Sequence, residues 1–217
     1  MFVPSILLHE PKVFFAGLNS RELLPVNARL LSGGLLGAAC WGAAMGAHVG
    51  GTNVLVAALK MPLFFAVTLA LSFSLMHVVA LAAGIRANAN QTLHVALAGL
   101  SVTTACLGVL APVLALFAMS APTPSVASYL NLYVACALAG VAAGAFGAAR
   151  LAAGLRALNG KSATGVLCVW LFIFQFTGTQ VAWVLRPWIG GADYSLAHGL
   201  SGNFYVGVTR VFMRWLS

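Results

Sequence analysis

The chain has 217 residues, of which 61% are hydrophobic and only 6% carry a charge, against about 25% charged in an ordinary soluble domain. Water cannot be the main solvent of such a surface, which excludes a soluble enzyme or adaptor. Eleven Lys and Arg against three Asp and Glu give a net charge of +8, but these charges stand singly between apolar runs, without the basic tract or aromatic interleaving used on nucleic acid, so no nucleic acid partner is expected.

In chain order, "MFVPSILLHEPK" has a short apolar patch but neither a basic n-region nor a small-residue cleavage site, and a cleaved signal peptide is not expected. Residues 1–29 form an interfacial segment, because Val13, Phe14, Leu18, Leu23 and Leu24 are interleaved with Lys12, Arg21 and Glu22. Five apolar runs then follow, at residues 30–49, 61–84, 95–119, 126–149 and 165–185. Each meets the roughly 20 residues needed to cross a hydrocarbon core, and each must be helical, since lipid offers no partner to free backbone groups. Pro62 falls in the first turn of the second helix with Lys60 at its mouth as a snorkelling anchor, whereas Pro112 lies inside the third and bends it. Residues 186–217 end the chain with a second interfacial segment, in which Phe204, Val208, Val211, Phe212 and Trp215 alternate with Arg210 and Arg214.

The fold class is therefore all-α, an integral membrane bundle of five transmembrane helices in one domain, with short amphipathic helices at both ends. Lys12, Arg21, Arg29, Arg86, Arg150, Arg156 and Lys161 fall on one side, and Lys60, Arg186, Arg210 and Arg214 on the other. This bias places the amino terminus inside the cell inner membrane. Cys40, Cys106, Cys136 and Cys168 sit within apolar runs as small hydrophobes, with no disulfide framework, no metal spacing and no cofactor implied.

Membrane helices associate through close backbone approach at small residues. The first span carries Gly42, Gly46 and Gly50 at intervals of four, and the fourth carries Gly140 and Gly144, so these two are expected to pack as a pair. In the last span, "QFTGTQVAWVLRPWIGG", Gln175, Thr179, Trp183 and Arg186 fall at i, i+4, i+8 and i+11 and share one inward face. Gln180 and Asn131 lie at one depth in the outer half. His77 lies deeper in the second span, bonded to a threonine or carbonyl, or relaying protons if hydrated. The polar face either fixes the bundle by cross-helix hydrogen bonds or lines a solvated path or ligand pocket.

No catalytic residues stand out. Glu10, Glu22 and Asp193 are far apart, and the hydrolase-like set Asp193, Ser195, His198 and Ser201 sits in a loop where such residues are common. His9, His48 and His94 are scattered at helix ends or in loops.

The segments "ALKMPLFFAVTLALSFSLMHVVALAAG" and "QFTGTQVAWVLRPWIGG" resemble a family of uncharacterised bacterial multi-pass membrane proteins with a Lys-x-Pro before one helix and a Gly-x-Gln-x-x-Trp-x-x-Arg-Pro-aromatic-x-Gly ending. That ending stands here as Gly178, Gln180, Trp183, Arg186, Pro187, Trp188 and Gly190. More loosely, five helices after "LHEPKVFFAGL" look like Yip1-type domains, a likeness that implies membrane organisation or trafficking. The expected role is a non-enzymatic scaffold or partner-binding component, in contact with the lipid bilayer and with other membrane proteins or copies of itself. The alternative is a small channel or transporter subunit with a polar path along the fifth span.

Overall fold

The computed structural model describes residues 11–19, 23–120, 126–160 and 163–186. Within them the chain forms six α-helices and no strand: α1 (Pro11–Ala16), followed by a 3-10 turn, then α2 (Leu23–Gly46), α3 (Thr52–Ala82), α4 (Ala89–Ser120), α5 (Val126–Asn159) and α6 (Thr164–Leu185). The last five are long and apolar enough to cross a membrane. Their outer faces match that medium: Leu59, Val109 and Val141 are 74%, 78% and 74% exposed, and a continuous apolar face of this kind is not tolerated in water. This is a multi-pass membrane protein in contact with lipid. The expected carboxyl-terminal amphipathic segment lies outside the described residues.

The helices start earlier than the apolar runs. α2 begins at Leu23 rather than Leu30, α3 at Thr52 rather than Met61, and α4 at Ala89 rather than Val95. Hydropathy marks only the part of a helix that sits in hydrocarbon, whereas α3 to α5, at 31, 32 and 34 residues, are about 46–51 Å long and pass through the headgroup layers. Lys60 and Pro62 are displaced by this extension. Both lie more than two turns inside α3, and Lys60 is buried rather than standing at a helix mouth.

Contacts between elements give a ring of neighbours in the order α6, α3, α2, α4, α5. The α2 helix packs most heavily on α4 and then on α3, α5 lies on α4, and α6 lies on α3. Glycines set these distances. A Cβ on Gly42 would press into the Ala57 carbonyl, and one on Gly46 would lie 2.6 Å from the Asn53 carbonyl oxygen, so both glycines bring α2 against α3. Gly37 does the same toward α4, with the Thr104 carbonyl oxygen 2.5 Å away. Gly50 belongs to no packing stripe. With Gly51 it makes the turn between α2 and α3, at φ of 74° and 57°, a left-handed backbone that glycine adopts without strain.

The expected pairing of the first and fourth spans is not what the fold uses, because α4 lies between α2 and α5. Their small residues face different partners, and Gly140 and Gly144 face none within 4 Å. Sequence spacing shows that a helix has a close-packing stripe, but the stripe does not name its mate.

The amino-terminal segment also differs from expectation. Instead of lying free at the interface, α1 packs on α5, with Phe15 and, in the 3-10 turn, Leu18 buried in the core; a Cβ on Gly154 would lie 2.6 Å from Val95 of α4 and 3.1 Å from the Phe15 ring. Gly154 leaves room for the Val95 methyls, beside which the Phe15 ring lies. Val13 and Leu24 of this segment keep exposed side chains, at 60% and 70%.

Candidate functional site

Because α5 is tied to α4 and α6 to α3, the two touch each other only slightly. Between them a cleft of about 880 Å³ opens into the bundle, and all five spanning helices contribute to its wall. Met61, Phe65 and Leu69 of α3, Leu100 and Leu107 of α4, and Trp41 and Met45 of α2 form the back, while Gly140 and Gly144 of α5 line the gap. The lining is apolar, with a few polar side chains set into it, which is the usual constitution of a ligand cavity.

The sequence-predicted residues divide around this cleft. Gln175 and Thr179 line it; Gln175 is exposed at the opening, and the Thr179 hydroxyl donates to the Phe176 carbonyl at 2.8 Å within its own helix. Gly178 and Ala182 border them, and Gly178 admits Phe64 and Thr68 of α3 at 3.5–3.8 Å. Trp183 and Arg186 form a pair of their own, with the guanidinium carbon 3.6 Å from the indole centroid. This cation–π contact is worth about 0.5–1 kcal/mol at an exposed site and holds the last turn of α6. Gln180 is half-buried but does not line the cleft, and Asn131 is exposed on α5 away from it. Pro187, Trp188, Gly190, Asp193, Ser195, His198 and Ser201 lie outside the described residues.

His77 belongs to a different place. It sits five residues before the end of α3, with Nδ1 2.9 Å from the Thr92 hydroxyl oxygen and its ring stacked on Phe73 at 6.2 Å. Thr92 in turn donates to the Asn88 carbonyl at 3.2 Å, so the imidazole N–H donates to Thr92. The bond to a threonine expected for His77 is present, and its partner Thr92 lies in the first turns of α4, upstream of the expected span.

One residue of the cleft wall carries a cost. Trp170 is 0% exposed and its indole N–H has no hydrogen-bond acceptor among the described residues, a penalty of about 1–3 kcal/mol that a phenylalanine in the same wall would not incur.

A second polar group, which sequence reasoning missed, closes the end of the bundle where α2 and α4 begin. Asn27 of α2, 3% exposed, donates through Nδ2 to Asn90 Oδ1 at 2.9 Å and accepts from His94 Nδ1 at 2.7 Å. Because the amide oxygen can only accept, His94 Nδ1 carries the proton. Phe14 of α1 stacks on the His94 ring at 4.9 Å, and Gln91 donates to the Leu18 carbonyl at 3.2 Å. Asn88 and Gln91 exchange side chain and backbone bonds of 2.9 and 2.8 Å, a capping box that starts α4. Read as a stray histidine at a helix end, His94 is instead the centre of a satisfied network under α1. The Asn-x-x-Gln spacing at Asn88 was the available signal, since it moves the helix start upstream and puts His94 inside.

No family model, curated protein or solved structure matches this chain. Among the described residues no group of three His, Cys, Asp or Glu could hold a metal ion.

Proposed function

We propose that this protein is a non-catalytic binding component of the membrane, which receives its partner sideways from the bilayer through the opening between α5 and α6. One observation carries this reading. Each of the two helices is anchored on a different neighbour, and Gly140 and Gly144 line the gap with open space where side chains would stand.

A scaffolding or membrane-organising role, of the kind the Yip1-type likeness implies, would use such a lateral site. A solute path has less to support it, because Asn131 and His77 stand outside the cleft and the wall is apolar. Purified protein in sealed vesicles is accordingly expected to pass neither ions nor small solutes, and flux abolished by Gln175→Leu would contradict the proposal. Support for an amino terminus on the cytoplasmic side comes from Arg29, Arg86 and Arg156, which belong to the end of the bundle that α1 closes.

A photoreactive phenylalanine analogue at Gly144, irradiated in native membranes, provides the test, with Leu138, 67% exposed on the same helix, as the comparison site. A discrete adduct at position 144 that position 138 does not form is the expected result. The same mixture of products at both positions would remove the reason for calling the cleft a site.

A further inference from the structure

We infer that α1 is a lid, which lifts from the end of the bundle where α2 and α4 begin while the five long helices stay folded, and so opens and closes the near end of the cleft. The lifting does not depend on the cleft being a binding site; its use as a gate rests on that reading.

Position is the first reason. Gly99 of α4 and Leu151 of α5 stand near one end of the cleft wall, and a Cβ on Gly99 would lie 2.6 Å from the Leu151 side chain. One turn further toward that end, Val95 of α4 meets Gly154 of α5, with the Phe15 ring 3.1 Å from where a Cβ on Gly154 would stand. The layer that holds Phe15 therefore follows directly on the last layer of the cleft, and α1 lies across it.

The second reason is how α1 is held. It has six residues, and a helix of that length does not keep its shape alone in water, so α1 folds only as it docks. Two rings and one backbone carbonyl anchor it. Phe14 stacks on His94 at 4.9 Å, the buried Phe15 meets the same ring edge-on at 6.1 Å, and the Leu18 carbonyl of the following turn accepts from Gln91 Nε2 at 3.2 Å. An element tied by so few groups opens locally at far lower cost than the bundle as a whole.

The third reason is the surface beneath. Its hydrogen bonds run between α2 and α4, from Asn27 to Asn90 and His94, and Asn88 and Gln91 close the start of α4 between themselves. Lifting α1 leaves all of these in place. Asn90 is exposed at the edge of the network, and amide and imidazole groups that are uncovered there exchange contact with α1 for bonds to water. A wholly apolar layer would resist uncovering over its full area.

A thiol placed beneath the lid tests this. In the full chain with Cys40, Cys106, Cys136 and Cys168 replaced by alanine, Val95→Cys puts a side chain of similar size at a site with no exposure. The protein is held in lipid nanodiscs, where a water-soluble maleimide reaches both faces. Slow labelling is expected, faster by about tenfold with Phe14→Ala, the scale of one lost aromatic contact. Leu18→Ala, at the other end of the lid, should also speed it. Val102→Cys, seven residues deeper in α4 and 3% exposed, should stay unlabelled in every background.

No labelling at position 95 even with both anchors removed would make α1 a fixed plug and overturn the inference. A rate that the anchor variants leave unchanged would overturn it too, as would labelling at position 102 that rises in step with position 95, because the bundle would then be opening as a whole. Labelling confined to position 95, with no distinct capture at position 144, would uphold the lid and remove the cleft as the site it gates.

Discussion

Gly42→Val is expected to be the most damaging single change in the bundle, costing about 3 kcal/mol or more, at the top of the range for overpacking. The reason is geometric. The new Cβ would occupy the place of the Ala57 carbonyl, with the carbonyl carbon 2.8 Å away and the Met61 side chain at 3.0 Å. A side chain could rotate aside, but a helical backbone cannot, so α2 and α3 must separate. In lipid that separation exchanges glycine packing for lipid contact without a hydrophobic penalty to oppose it. Gly144→Val, on a face with nothing within 4 Å, should change stability by less than about 0.5 kcal/mol. Unfolding in mixed detergent, followed by circular dichroism, measures both; equal losses for the two would mean that α2 does not approach α3 as closely as described.

The second large effect is expected at the buried network beneath α1. Asn27→Leu removes the acceptor for His94 Nδ1 and the donor for Asn90 at once, leaving a 2% exposed imidazole without its partner. Each buried polar group left unsatisfied costs about 1–3 kcal/mol, so a loss of about 2–4 kcal/mol is expected. His94→Leu alone should cost a similar amount, since it strands the Asn27 carbonyl and removes the ring on which Phe14 stacks. The double variant should cost clearly less than the sum, because replacing both partners by apolar groups removes the unpaired atoms with the bond. Strict additivity in the same unfolding assay would show that the two side chains act independently.

The sequence and the structure agree best where the physics is that of the solvent. Five spans, all helical, were legible because lipid allows a backbone little else, and the centres of the runs, such as Leu69 and Val102, are where the structure puts its membrane core. Ends were not legible. Asn27, Asn90 and Thr92 look like residues that stop an apolar run, and only the bonds of Asn27 to Asn90 and His94 between α2 and α4, and of Thr92 to His77 between α4 and α3, reveal that they belong inside.

Partner choice was hidden for a related reason. Gly42 and Gly144 have the same local pattern, but one meets a carbonyl and the other meets open space, a difference set by which helix stands opposite. The polar stripe on α6 was half legible: its spacing placed Gln175 and Thr179 on one face, but that face borders an opening instead of sealed packing. His77 and Asn131 were assigned by depth along ideal spans, and the real spans are longer.

The separation of α5 from α6 within the lipid is measured most directly by a spin label on Gly144→Cys in reconstituted vesicles, with Cys40, Cys106, Cys136 and Cys168 replaced by alanine. A gap open to lipid gives relaxation by oxygen, which partitions into hydrocarbon, and none by a water-soluble nickel chelate. A label reached by neither reagent would mean that the two helices are packed together, and one reached by nickel would mean that the cleft holds water instead of lipid.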